Sequence, residues 1–416
     1  MCRRPRTEVK ILYITASLPF SGGEEDFFIP EINALLCAGH QLRIFPRQTN
    51  GPPELCAKHL LAFSEVLPLL SFRVIKGAVA EFVEAPFPSL RALWLILSCG
   101  KLRDRIKNLA VLPKGLYAGR LAKELGVEHI HAQWAGTTAT LALVAHKSSR
   151  VPWSFTAHRG DIVQRNLLVE KISSATFVRL ISQRGIDLMN KVAPFADRSK
   201  FRVIYMGVSV PAFTSAAPQN RSRGPFTIIC PAHLIPVKGH VYLIKTLALL
   251  KERGVVCRLE LAGHGPLRKA IEQVVAELEM QAAVVFLGQV PHDELIERYR
   301  TRKVDAVLLP SIDLGHGVHE GIPVSLMEAM AYGIPVVSTT TGGIPELITP
   351  GAGILVPPEN APALAEAIES LMSDKEFCAR LTVGQWERVN EAFNAYKTAG
   401  LLALEMSFLP TRLSLM

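Results

Sequence analysis

Several things are missing from this sequence, and each absence excludes something. No apolar run approaches the roughly 18 residues of a membrane-spanning helix. The opening stretch MCRRPRTEVKILYIT holds only about five apolar residues in a row, short of the about 7–15 of a signal peptide. The expectation is a soluble or peripheral protein in the cytoplasm. No CxxC pair is present, and the seven cysteines, at 2, 37, 56, 99, 230, 257 and 378, are odd in number. That pattern predicts reduced, buried thiols and excludes a disulfide framework or a zinc site. There is no HExxH, no GxSxG, no zinc finger and no basic-aromatic RNA motif, so zinc proteases, serine hydrolases and nucleic-acid binders are set aside. No low-complexity tract or fixed-period repeat occurs.

What remains is globular. Of 416 residues, 49% are hydrophobic and 20% charged. That length is too great for one core and predicts two domains of about 200 residues each. The net charge of +9 is lopsided: residues 1–210 hold 28 Lys and Arg against 16 Asp and Glu, and residues 211–416 hold 18 against 21. A basic first half suits an anionic partner such as a phosphorylated ligand or a membrane surface, and a generally basic exterior is the plainer account.

Short apolar runs alternate with helical patterns along the chain. EVKILYITAS, QLRIFP, VEHIHAQW, VPWSFTAH and FRVIYMGV read as strands, and FFIPEINALLCAGH as a helix stopping at a glycine. Residues 211–225, PAFTSAAPQNRSRGP, are small, polar and turn-forming, which predicts a linker. The alternation then restarts with FTIICPA, HVYLIKTLALLKERG, CRLELAG, GPLRKAIEQVVAELEM, AVVFLG, HDELIERYRT, DAVLLPS, PVVST and GILVPP. Two α/β domains in tandem follow, each a mostly parallel sheet covered by helices, with ligands beyond the strands' carboxyl ends and an interdomain cleft as the default site.

HEGIPVSLMEAM places Glu320 and Glu328 eight positions apart. A loop carboxylate, a second carboxylate inside a helix starting near Pro323, and free N–H groups between them would suit an anion with flanking hydroxyls. One exposed loop Glu and one surface helix Glu explain the spacing equally. Lys238, in IPVKGH, can reach a phosphate as a point charge or be merely solvated. His158, just past a strand in SFTAHRGDI, can hydrogen-bond a ligand or a neighbouring loop. Gly22 and Gly23 follow the first strand and allow close backbone approach. His316, His319 and Glu320 have metal-ligand side chains, although not in a zinc-protease order. AGHGPLR has two glycines but lacks the third of a dinucleotide fingerprint, which disfavours a nicotinamide enzyme. FPSLRALWLILSCGKLRDRIKNL, 87–109, reads as a basic amphipathic helix fit for a membrane interface, or as a core helix with a solvated end.

SGGEEDFFIPEI, FTAHRGDI, PVKGH, LAGHGPLR, LGQVPHDEL and above all PSIDLGHGVHEGIPVSLMEAMAYGIPVVSTTTGGIPELI occur in one order over most of the chain. Together they resemble the retaining glycosyltransferases of GT-B type, group 4, in their exopolysaccharide branch. The resemblance implies an α/β, GT-B fold, with two Rossmann-like domains facing each other across a cleft. It divides the chain into an acceptor domain over 1–210, a linker at 211–225, a donor domain over 226–395, and a helix at 396–416 returning to the first domain. It implies transfer of a sugar from a UDP- or GDP-linked donor to a glycan or lipid-linked acceptor, with retention and with neither metal nor cofactor, on the inner face of the plasma membrane. His158 and Glu320 would stand at the reacting sugar. Lys238 would hold the diphosphate, Glu328 the ribose, and Gly321, Ile322, Pro323 and Val324 the diphosphate and sugar through their backbone. Gly22 and Gly23 would lie beside the diphosphate, and Val290 would meet the base.

One position departs from the pattern. The family pairs its lysine with an arginine five residues earlier, and here His233 stands at that place. A neutral imidazole lacks the fork and fixed charge of arginine, so weaker or pH-dependent donor binding, or compensation by Arg159, is expected. An epimerase or phosphorylase on the same architecture, or a non-catalytic glycan-binding scaffold, remains open at this point.

Overall fold

The computed structural model describes residues 8–18, 26–49, 55–213, 224–315 and 317–408. The chain divides into two compact units, Met1–Met206 with Tyr396–Met416, and Gly207–Ala395.

The first unit is built on six strands: β1 (Lys10–Ser17), β2 (Gln41–Gln48), β3 (His129–Gln133), β4 (Trp153–Ala157), β5 (Phe177–Leu180) and β6 (Phe201–Val203). Their order is β2-β1-β3-β4-β5-β6 and every pairing is parallel. Pro46 is tolerated in β2 because that strand is an edge. One sheet face packs on the helix Leu102–Glu124 and on Thr137–Ser149, with Leu12, Ile130 and Phe155 in the core. The other face is covered by the helix Ile29–Cys37 and by the last helix, Ala395–Ser407, whose Leu402, Ala403 and Met406 share a core with Ile11, Phe28 and Ile32. Arg202 bonds Glu405 at 2.9 Å.

That second face is unusually polar. Glu31 and Arg179 are fully buried and ion-paired, and Tyr13 donates to Glu31 at 2.7 Å. Arg179 also donates to the Ile204 and Tyr205 carbonyls at 2.8 and 2.6 Å. Every polar arm of the guanidinium is therefore matched, as a buried charge requires. His129 and His131 of β3 share the Ser154 hydroxyl at 2.8 Å each.

The second unit repeats the plan with β7 (Phe226–Pro231), β8 (Cys257–Ala262), β9 (Val284–Gly288), β10 (Ala306–Leu309), β11 (Val336–Thr339) and β12 (Ile354–Val356), ordered β12-β11-β10-β7-β8-β9 and all parallel. β7 and β10 are buried apolar runs, as expected for strands covered on both faces.

Three expectations need correction. The boundary falls after Met206 and not Val210, and the stretch expected as free linker begins attached to the second unit. Val208 bridges Asn394, Trp386 donates to the Pro211 carbonyl at 3.0 Å, and Phe213 packs on Trp386; residues 214–223 lie outside the described residues. The single helix expected over 87–109 is two, Pro86–Leu97 and Leu102–Glu124, interrupted around Gly100. The helix expected near Pro323 is found there, with Pro323 as its N-cap in extended conformation and Val324 as its first residue. Cys99, Cys230 and Cys257 are buried thiols, but Cys37, at the solvent end of its helix, is exposed.

Candidate functional site

In the second unit the chain runs β7, β8, β9 in one direction and then returns to place β10 on the other side of β7. Loops leaving β7 and β10 therefore diverge, and the crevice between them is where open α/β sheets bind ligands. The loop after β7 carries Lys238 and the loop after β10 carries Glu320. Their side chains meet: Lys238 Nζ donates to Glu320 Oε2 at 2.5 Å, with about 15% of each side chain exposed. Ser311 Oγ adds a bond to the same oxygen at 3.3 Å. An ammonium has three N–H groups and this pair uses one, so the same lysine can serve an anion as well.

The loops are held by close backbone packing. The Leu234 N–H donates to the His264 carbonyl at 2.9 Å and Ala232 to Ala262 at 3.0 Å, so AGHGPLR is a brace for the lysine loop. Gly239 has φ +66°, and a Cβ there would lie 2.1 Å from the Pro310 carbonyl oxygen. Gly342 has φ +58°, and its Cβ would lie 1.9 Å from the Glu320 carbonyl oxygen, so the loop after β11 clamps the Glu320 backbone. Gly239→Ala is expected to lose about 3 kcal/mol or more by urea unfolding, because clash adds to left-handed strain. Gly254→Ala, with φ +76° and open space around it, should lose only about 1 kcal/mol. Equal losses would show that the Pro310 contact does not fix the loop.

Past Glu320 the backbone borders open space: a Cβ on Gly321 would touch nothing within 4 Å. Ile322 and Pro323 are buried and Val324 opens the helix Val324–Ala331. Leu326 N–H bonds the Pro323 carbonyl at 3.2 Å; the N–H groups of Val324 and Ser325 ahead of it lie before any helical carbonyl that could take them, a start that favours an anion. Glu328 lies one turn further along and is bonded by His292 Nε2 at 2.7 Å. His292 begins the helix His292–Arg300, which follows the Val290 loop. Val290 is half-buried. The structure thus brings Lys238, Glu320 and the 321–324 backbone together, with Glu328 one turn into the helix Val324–Ala331 and bonded by His292 from the helix His292–Arg300.

His233 makes an edge contact with His264, ring centroids 5.0 Å apart. His319 Nδ1 bonds the Glu320 carbonyl at 2.8 Å, a local role; His316 lies outside the described residues, as do Gly22 and Gly23. Among the described residues no group of three or more His, Cys, Asp or Glu is placed to hold a metal ion.

In the first unit His158 follows β4 and caps the short helix Arg159–Gln164: its side chain takes the Asp161 N–H, and Asp161 returns a bond to the His158 N–H at 3.3 Å. Burial, with Arg179 nearby, lowers its pKa to about 3, so the imidazole is neutral at ordinary pH. With the other nitrogen accepting, Nε2 carries the proton and has no partner among the described residues. The ring stacks on Trp134, centroids 4.1 Å apart.

Trp134, His292 and Lys171 are not singled out by sequence reasoning. Trp134 sits at φ +77°, at the end of β3, a conformation that a bulky residue signals in no pattern. Lys171 is fully buried and ties the following turn by donating to the Ala135 and Gly136 carbonyls at 2.7 Å each, and burial lowers its pKa to about 7. His292 lies inside the LGQVPHDEL motif, but no local signal points it at a glutamate 36 residues away.

The family described as glycosyl transferases group 1 matches residues 213–383. WcaL of Salmonella typhimurium strain LT2, provisionally named a colanic acid biosynthesis glycosyltransferase, is 33% identical over 423 residues, covering 93% of this chain and 96% of that protein. WcaL of Escherichia coli strain K12, of the same provisional name, is 37% identical over 199 residues, and that match spans 47% of this chain and 48% of the relative. Among solved structures, Anabaena HepE in complex with UDP-glucose superposes with TM-score 0.68 at 19% identity, covering 96% of this chain and 100% of that one. At that identity the likeness speaks to the fold.

Proposed function

The chain belongs to the glycosyl transferases group 1 family and has its two-domain α/β GT-B fold, and from that premise we propose that it moves a sugar from a nucleotide-sugar donor to a glycan or lipid-linked acceptor in cell-surface polysaccharide synthesis, with retention and without a metal. The observation that carries the reading is the Lys238–Glu320 pair at the point where the strand order reverses, facing the open backbone at Gly321. Transfer breaks the bond between the sugar and the diphosphate and forms a glycosidic bond to the acceptor oxygen, whose proton leaves on the departing diphosphate. Charge grows on the departing diphosphate. Lys238 and the backbone N–H groups of Gly321, Ile322 and Val324 are preorganised to meet it. Glu320 takes hydroxyls of the donor sugar, and Glu328, oriented by His292, those of the ribose. A carboxylate has about four acceptor sites, so a bond to His292 leaves room for both ribose hydroxyls. The neutral His158 donates Nε2–H to a sugar oxygen. The protein works in the cytoplasm, as a peripheral protein on the inner membrane face.

UDP-linked donors are the first to test, since HepE was solved with UDP-glucose; the exopolysaccharide role follows the name of WcaL. A panel of UDP- and GDP-sugars read by thermal shift should give one series that raises the melting temperature, because ligand binding stabilises by mass action. His233→Arg should tighten that donor by about tenfold by adding a charged fork beside the diphosphate. No shift with any nucleotide-sugar, in either protein, would overturn the reading. Turnover of donor without acceptor into an epimer would favour the epimerase alternative.

A further inference from the structure

Among the described residues twenty-seven large apolar side chains are exposed, and fifteen of them fall between Leu61 and Ile106. Random scatter over 416 residues would not concentrate them so. Within this stretch the helix Phe72–Glu84 has two apolar faces. Val74 and Ala78 point into the unit, and Gly77 lies against the Tyr117 ring. Phe72, Ile75, Val79, Phe82 and Val83 are exposed, at a spacing that gathers them into an arc of about 100°. The next helix, Pro86–Leu97, does the same: Ser89, Ala92 and Ile96 are buried, while Phe87, Leu90, Trp94 and Leu97 form an outward stripe. Phe72 and Phe87 are each 83% exposed and Trp94 68%. Leu102 and Ile106 extend the apolar surface onto the following helix.

The same stretch is basic. Residues 72–107 hold seven Lys and Arg against three Asp and Glu. Two of the three acids are engaged, Glu81 by Lys123 and Glu84 by Arg120. Lys76, Arg91, Lys101, Arg103 and Lys107 are exposed among the apolar side chains. No helix among the described residues is long and apolar enough to cross a membrane.

We propose that the outward faces of the helices Phe72–Glu84 and Pro86–Leu97, with the start of Leu102–Glu124, form the surface by which this protein docks on an anionic lipid bilayer. Phe72, Phe87 and Trp94 enter the headgroup–acyl boundary, and the lysines and arginines around them meet lipid phosphates. Charge decides against a second copy as the occupant: a two-fold contact would set this basic surface against itself. The proposal deepens the membrane side of the function proposed above by naming the surface, and its test uses neither donor nor acceptor, so it can fail while the sugar-transfer reading stands.

The probe is sedimentation with phosphatidylcholine vesicles containing about one-third phosphatidylglycerol, against pure phosphatidylcholine. The wild-type chain should pellet with the anionic vesicles and be released as salt rises. Phe87→Ser with Trp94→Ser should weaken partition by about tenfold or more through lost apolar insertion. Arg91→Glu with Arg103→Glu should abolish the preference for the anionic lipid. Melting temperatures should match the wild type, since exposed side chains are replaced. A wild-type chain that stays in the supernatant, or variants that bind as it does, overturns the proposal. So does light scattering that finds a dimer which Phe87→Ser with Trp94→Ser dissolves, because that makes a second copy the occupant.

Discussion

Glu320→Gln should transfer sugar about 10²–10³-fold more slowly than the wild type, the size of effect seen when one preorganised polar contact to a reacting centre is lost. The amide keeps the shape of the side chain and can still accept from Lys238, so the crevice after β7 and β10 keeps its architecture while the carboxylate is gone. Initial rates with the donor found by thermal shift measure it, and the urea midpoint is the control. Lys238→Met acts on the other half of the pair. It removes a contact that the diphosphate makes before and during transfer, so donor KM should rise as well as the rate fall. It also strands Glu320 in a site where only about 15% of its side chain is exposed, at a stability cost of a few kcal/mol. The double variant should be far less than multiplicative, because the two groups act as a unit. Full activity in Glu320→Gln would detach the pair from catalysis and favour a scaffold that binds glycans without transferring them.

The first unit should come apart in mild acid. His129 and His158 have pKa values lowered to about 3, and His131 lies well below its ordinary value, in each case chiefly because burial penalises the imidazolium. In the unfolded chain all three take a proton near pH 6.5. Below that pH the unfolded state binds more protons than the folded one, so stability falls as pH falls. His129 and His158 each contribute about 1.4 kcal/mol per pH unit, so at pH 4.5 the two together cost about 6 kcal/mol, and His131 adds a loss of the same sign. Asp161 works in the opposite direction. Its pKa is raised to about 6 by burial, so the folded state holds its proton more tightly and gains about 2 kcal/mol over the same interval. The histidines win, and the balance of about 4 kcal/mol from the two, before His131 is added, approaches the whole stability of a domain. Urea unfolding followed by tryptophan fluorescence should therefore show a large loss between pH 7 and 4.5. His129→Gln should move the acid midpoint lower. Equal stability at the two pH values would mean that these imidazoles are not kept neutral by the fold.

Much of this architecture is legible in the amino-acid sequence. The strands of the second unit are short apolar runs, and each of the nine segments read there corresponds to an element found. β5 escapes such a reading for a specific reason. A four-residue strand, FVRL, with an arginine near its centre looks like surface. Arg179 is inside because Glu31, 148 residues earlier, waits there for it, and no local pattern carries that. The site divides along the same line. The spacing of Glu320 and Glu328 is visible in the chain, and their family motif gives them meaning. That Lys238 reaches Glu320 across 82 residues depends on the order of strands, which the sequence pattern leaves open. The break at Gly100 is hidden because apolar and basic segments on either side share one helical period.

The first unit's sheet is completed on one side by Ala395–Ser407, while Val208 and Asn394 hold the two ends of the second unit against each other. The second unit is thus a closed insertion within the first. During synthesis from the amino end, the domain begun earliest cannot bury Leu402 and Met406 until those residues have left the ribosome, behind the whole of the inserted one. The later domain has all its strands in hand beforehand. The order of completion is the reverse of the order of translation, and until then the half-covered sheet around Ile11 and Phe28 is the part of the nascent chain most in need of a chaperone.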